Sequence, residues 1–412
     1  MKDSGVEWIG DIPEDWEIIK TKRKFKTNKI IVGDKYTNFD RLSLTLNGVL
    51  KRPFDDNKGL QPQNLKTYQI LNESDLIFKL IDLENVKTSR VGYSNYQGLV
   101  SPVYIRLINP TETRFGYYYY MNMWYQEIFN ALGAGVRSSL SATDLLNIPY
   151  IFISSVKEKH NIVEFLDKKI NQINSIISDT QQSILELKKY KQSLITETVT
   201  KGLDKTVEMK DSKYYDQKIP NHWCEIKVKY ILFEINQRSK KGIEEPLSMS
   251  QKQGLIPSKY LSNVPNASSS YIGNKIVNKN DLVFNKLKAH LGVFSVSKYN
   301  GIVSPDYAVY RVINDNNVTY LEYLFKTRLL ISKFIKYSRG VGAGLTRLYT
   351  KEFFNIKIAM PSSSEQQQIV EFLDNKTSKI DSLISDKEKM IKEYESYKKS
   401  LIYEYVTGKK QV

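Results

Sequence analysis

His222-Trp223-Cys224 sets a histidine beside the single cysteine of this 412-residue chain, its nearest approach to a metal site. Zinc takes about four ligands, and His160 and His290 each lack a second histidine or cysteine nearby. A structural role is the expectation for the segment. Gly340-Val341-Gly342-Ala343-Gly344 has the composition of a phosphate cradle. It follows a predicted helix rather than a strand, so the context of a dinucleotide loop is missing and a flexible turn suits it better. No Walker A sequence occurs, and Pro305-Asp306 lacks a nearby Glu-x-Lys strand of the kind nucleases use.

Asn147-Ile148-Pro149-Tyr150 comes closer to catalysis. It resembles the Asn-Pro-Pro-Tyr/Phe tetrad of adenine-N6 methyltransferases, in which the Asn amide and a prolyl carbonyl hold the target amine and the aromatic stacks on the flipped base. Here the second residue is Ile, and no Gly-rich S-adenosylmethionine loop precedes it. A last strand with Pro149 at an edge is the simpler reading.

What remains is binding. DNA readers place Lys and Arg on phosphates, and Arg, Asn, Gln and Ser at base edges. The candidates are Lys79 and Arg90 in the stretch Lys79 to Tyr96, and Arg137-Ser138-Ser139. Their counterparts are Lys286, Lys288 and His290 in the stretch Asn285 to Leu291, then Lys298, and Arg339, Thr346 and Arg347. For any one Lys or Arg a solvated surface charge is the simpler reading; the clusters carry the argument.

The elements that would position these residues occur twice. Ile12-Pro13-Glu14-Asp15-Trp16 returns as Ile219-Pro220-Asn221-His222-Trp223, and Val100-Ser101-Pro102 as Val303-Ser304-Pro305. Ile162-Val163-Glu164-Phe165-Leu166-Asp167 returns unchanged as Ile369-Val370-Glu371-Phe372-Leu373-Asp374. Whole modules were duplicated. In each copy a first part, about 1–156 and 206–363, alternates short apolar runs with turn residues. Asp75 to Phe78, Leu99-Val100, Val103 to Leu107 and Ile148 to Ile153 read as strands; Asp281 to Phe284, Tyr307 to Val312 and Asn355 to Ile358 are their counterparts. Tyr117 to Leu132 and Tyr320 to Tyr337 suit helices packed on a sheet. The second part, about 157–200 and 364–406, contains no Gly or Pro. Its apolar residues fall at heptad a/d positions, starting from Leu166 and Leu373, and Ser364 to Gln367 has a capping-box pattern. The fold class is α+β: two pseudo-repeated mixed α/β domains, separated by two long helices that pair as an antiparallel coiled coil.

Charge is uneven along this frame. Residues 1–156 hold 19 Lys/Arg against 17 Asp/Glu, whereas 202–364 hold 25 against 13. A polyanion partner explains such an excess. One cysteine excludes an internal disulfide framework and suits a reducing compartment. With no signal peptide and no long apolar run, a cytoplasmic protein without membrane contact is expected.

Taken together, these residues resemble the specificity (S) subunits of type I restriction–modification systems. The resemblance rests on Ser4-Gly5-Val6-Glu7-Trp8-Ile9-Gly10-Asp11-Ile12-Pro13-Glu14-Asp15-Trp16, on Asn280 to Leu291, on Val303-Ser304-Pro305-Asp306-Tyr307 and on Glu365 to Asp374. It implies target recognition domains at 1–156 and 206–363, each reading one half of a bipartite site in double-stranded DNA. It implies conserved spacer helices at 157–205 and 364–412 that dock two methyltransferase (M) subunits, with two restriction (R) subunits completing the assembly. The S subunit would hold no catalytic group and no cofactor; S-adenosylmethionine, ATP and Mg would sit on the partners. Repeat one departs from the pattern, with Lys79-Leu80-Ile81-Asp82-Leu83-Glu84 as a more acidic version of Asn285 to Leu291. The alternatives are a self-contained DNA adenine methyltransferase and a helical scaffold with no DNA role.

Overall fold

The computed structural model describes the chain apart from residues 54, 57–63, 85–88, 134–137, 216, 251–252, 262–269 and 341–345, and apart from the side chains of 288–290. The chain forms two compact units: Met1–Gln181 with Glu388–Val412, and Gln182–Lys387. Each unit takes its globular part from one repeat and helical segments from both.

In unit one, Lys26–Thr27, Ile105–Ile108, Leu76–Phe78 and Val91–Tyr93 lie in that order in an antiparallel sheet. Leu76-Ile77-Phe78 is apolar throughout because both faces are covered. Leu76 and Phe78 enter the main core, while Ile77 joins Leu42, Leu44, Val49, Leu71 and Val100 in a second cluster. Alternate side chains of a strand point to opposite faces, so the continuous run feeds two cores. The helix expected over Tyr117 to Leu132 starts earlier and breaks in two, giving α1 (Thr113–Tyr125) and α2 (Ile128–Leu132), with Glu127 at φ 58° between them. A short α3 (Ala142–Asn147) opens with a capping box of Ser141 and Asp144 and leads into the strand Pro149–Phe152. Then α4 (Val156–Lys201) begins, with the Glu158 amide donating to Ser155 Oγ at 3.2 Å.

Unit two repeats the plan. Leu232–Ile235, Tyr307–Val312, Leu282–Asn285 and Phe294–Val296 give the same strand order. Leu282 and Phe284 again face the main core, and Val283 the second cluster. The helix expected over Tyr320 to Tyr337 also divides, into α5 (Val318–Phe325) and α6 (Arg328–Tyr337), because Thr327 turns the chain and accepts from the Leu330 amide at 3.3 Å. Following α7 (Thr350–Asn355), α8 (Ser363–Val406) starts one residue before the expected cap. Its capping hydroxyl is Ser362, which accepts from the Glu365 amide at 3.3 Å, not Ser364.

The repeat reaches polar details that its sequence matches do not show. Asp75 accepts from the Asn72 amide at 2.7 Å and pairs with Arg106 at 2.5 Å. Asp281 accepts from the Asn278 amide at 2.8 Å and pairs with Arg311 at 2.8 Å. Both aspartates are buried, so each anchors its strand.

Within each unit the α4 and α8 segments run antiparallel. In unit one the Phe165 and Tyr405 rings lie 4.5 Å apart and Lys398 donates to Asn174 at 3.1 Å, so numbers rise on one helix as they fall on the other. In unit two Leu194, Ile195 and Val199 share a core with Ile369, Val370 and Leu373, and Lys191 reaches Asp381 at 2.6 Å. The a/d seam read from the sequence is the covered one: Leu166, Ile173, Ile184, Leu373, Ile380, Ile384 and Leu401 are buried, and so are its polar members Thr180 and Thr377.

Candidate nucleic-acid interface

In unit two the strand Leu282–Asn285 runs straight into a tight helical turn, Lys286–Leu291. Asn285 starts that turn by accepting from the Leu287 amide at 3.1 Å. After α6, Arg339–Gly340 pairs with Thr346–Arg347 as a two-residue ladder with Arg339 opposite Arg347. The Leu348 amide then donates to the Lys286 carbonyl at 3.1 Å. This one bond brings the strand end and the loop base together, and with them Lys286, Arg339, Thr346 and Arg347.

The cations gathered there are held by the chain's own carboxylates. Arg347 Nη2 lies 2.6 Å from Asp306 Oδ1, and Arg339 Nη2 lies 2.7 Å from Glu352 Oε1. Lys286 lies 3.9 Å from Glu234 Oε1, an oxygen it shares with the buried Lys275 at 3.1 Å. Burial and then the Lys275 charge hold the Lys286 ammonium below its ordinary pKa, with Glu234 opposing them. Arg347 Nε is buried and finds no hydrogen-bond partner among the described residues. A buried unpaired N–H of this kind is costly.

Unit one builds the same frame with other side chains. The Leu140 amide donates to the Leu80 carbonyl at 2.9 Å, the counterpart of the bond from Leu348 to Lys286. Lys79 is half-buried at the strand end, Ser138 is half-buried at φ 28°, and Ser139 is exposed. These three come together. Arg90 does not join them as a reader: it is 1% exposed, and its guanidinium donates to the carbonyls of Ile81, Asp82 and Leu83 at 3.2, 3.0 and 2.8 Å. The expectation of a DNA-facing Arg90 is corrected, because a cation is buried only where fixed acceptors surround it, and this one ties down the loop after Lys79. Arg137 and the side chains of Lys288 and His290 lie outside the described residues.

Lys298 is exposed but stands apart from the others. It follows the strand Phe294–Val296, whose Val296 pairs with Leu282, so it lies at the opposite end of the sheet from Lys286. Lys275, Glu234 and the pairing role of Asp306 were not singled out from sequence, since strand pairing alone brings them together. The Asn147 tetrad is settled by burial: Tyr150 is 0% exposed, and Asn147 donates to the Thr143 carbonyl of its own helix at 3.0 Å. A ring with no exposure cannot stack on a flipped base. Among the described residues no group of three or more His, Cys, Asp or Glu is placed to hold a metal ion. No described helix is long and apolar enough to cross a membrane.

Residues 220–393 match the family model of the Type I restriction modification DNA specificity domain. A specificity subunit named for the type I restriction enzyme MjaX of Methanocaldococcus jannaschii is 23% identical, over 98% of this chain and 96% of its own length. Among solved structures, one from work on complex assembly and conformational transition of the type I R-M system superposes with a TM-score of 0.66 at 11% identity, covering 96% of this chain and 98% of that one. The HsdS subunit from Thermoanaerobacter tengcongensis gives 0.52 at 12% identity, covering 99% and 100%. These two likenesses speak to the fold. Residues 220–393 thus carry a type I restriction–modification DNA specificity domain, and over its full length the chain is similar to the specificity subunits of such systems.

Proposed function

We propose that the chain is the non-catalytic, DNA-reading subunit of a type I restriction–modification complex, with its two globular parts, 1–156 and 206–363, each reading one half of a bipartite site. The observation that carries this is the bond shared by both repeats, Leu140 to Leu80 and Leu348 to Lys286. It fixes one loop at one place in each unit, while the side chains presented differ: Ser138 and Ser139 in unit one, Thr346 and Arg347 in unit two. One frame with two sets of readers suits two different half-sites. The basic excess of 202–364 supplies attraction to phosphates.

The spacer helices, at 157–205 and 364–412, dock two M subunits in this reading, and two R subunits complete the complex in the cytoplasm. S-adenosylmethionine, ATP and Mg act on those partners. Methylome sequencing of a host that expresses the chain with its M partner is the test. A single bipartite adenine-methylation motif, lost when the chain is omitted, supports the reading; methylation independent of the chain overturns it. Labelled S-adenosylmethionine transferred to DNA by the purified chain alone would instead establish a self-contained methyltransferase.

A further inference from the structure

Arg347 and Asp306 are exchanged together between the repeats. The turn Ser304-Pro305-Asp306-Tyr307, closed by the Tyr307 amide on the Ser304 carbonyl at 3.0 Å, has its counterpart in Ser101-Pro102-Val103-Tyr104, closed in the same way at 3.2 Å. Where unit two has Asp306, unit one has an exposed Val103; where unit two has Arg347, unit one has Ser139. The carboxylate occurs in the repeat whose arginine directly precedes the loop-base leucine, Leu348; in repeat one the loop arginine, Arg137, comes three residues before Leu140. Asp306 is more than half exposed, so it occupies the same surface as the loop that presents Arg347.

We propose that Asp306 is a specificity-determining residue, which holds Arg347 in the free protein and yields it to a neutral base edge but not to a phosphate. This rests on the reading of Arg347 as a DNA contact. The physical reason lies in the charge left behind. A phosphate drawn to Arg347 is repelled by the carboxylate beside it. A guanine edge offers two neutral acceptors, O6 and N7, that suit an arginine fork and meets no such repulsion. Arg347 Nη2 is already taken by Asp306, while its buried Nε stands without an acceptor among the described residues. The Arg347 side chain is 26% exposed, so a base edge that displaces the carboxylate can take up the guanidinium fork. Asp306 thus weakens binding to DNA in general and leaves the cognate contact available.

The test uses the full chain assembled with its M subunits, comparing wild type, Asp306→Asn and Arg347→Ala. Binding to a random-sequence duplex is followed over a salt series, and methylation motifs are read in the host. Asp306→Asn keeps the size of the side chain and removes the charge. It is expected to tighten random-duplex binding and to steepen the slope of log K against log salt by about 0.9, the change for one more neutralised phosphate. Methylation then spreads to sites that differ from the motif in one half. An unchanged slope, or weaker binding to every duplex, overturns the proposal. Two failures are separable: if Arg347→Ala retains full methylation of the motif, the loop is not a reader and the underlying assignment falls with the proposal. If Arg347→Ala loses methylation while Asp306→Asn binds random duplex as wild type does, only the role of Asp306 falls. Equal thermal denaturation of the three proteins ties each result to the contact rather than to folding.

Discussion

The Trp223 indole N–H donates to the carboxylate of Glu365, at 3.1 and 3.2 Å from its two oxygens, although 142 residues separate them. Trp16 and Glu158 repeat the arrangement at 3.1 Å, again 142 residues apart. Both tryptophans are 1% exposed, so each globular part is fastened to the start of the long helix that follows it. Removing the acceptor leaves a buried donor unpaired, which costs about 1–3 kcal/mol. Glu365→Ala should therefore lower the denaturation midpoint of unit two, and Glu365→Gln, which keeps one acceptor oxygen, should lower it less. Equal losses would mean that the bond contributes nothing.

Glu112 and Lys159 form a buried ion pair of 2.6 Å, and in the other repeat Asn317 and Gln366 meet at 2.8 Å through an uncharged bond. The same junction is made once with charges and once with amides. Lys159→Met strands a buried carboxylate and should cost about 3–5 kcal/mol. Adding Glu112→Gln should restore most of it. A double-mutant cycle decides this, and additive losses would refute the coupling.

Arg90 serves the loop, not the DNA. Arg90→Met should destabilise unit one by about 3 kcal/mol, because several loop carbonyls lose their donor at once. The salt dependence of DNA binding should stay as in wild type. A shallower slope with unchanged stability would reverse that assignment.

Lys286 works against stability. Its pKa in the fold lies below the ordinary value of 10.5, first through burial and then through Lys275, with Arg347 adding to this and Glu234 and Asp306 opposing. Between the lowered value and 10.5 the unfolded chain binds more protons than the folded one, so stability rises with pH across that window. Below it the full penalty applies. Lys286→Met should raise the denaturation midpoint at neutral pH and lower DNA affinity, while Glu234 keeps Lys275 as its partner. A lower midpoint would show that Lys286 is net stabilising.

Arg347→Ala should abolish modification of the natural site while the complex with the M subunits survives on a sizing column, since a bidentate base contact is worth about 1–3 kcal/mol. Lys298→Gln should leave the recognised motif unchanged, because Lys298 stands at the far end of the sheet.

The duplication, the two helices with their a/d seam, the strand cores and the basic excess of the second repeat were legible in the residues alone. Each depends on periodicity or composition, which are local properties of a chain. Tertiary structure decided what pairs with what. Arg90 looked like any reader until three carbonyls closed around it, whereas Tyr150, read from sequence as part of a last strand, is in that strand and covered by the core. Asp306 and Arg347 lie 41 residues apart and meet only because strand order folds a turn against a loop. The compact units cross the sequence repeats, since a 46-residue helix cannot bury its apolar stripe alone and takes its partner from the other end of the chain.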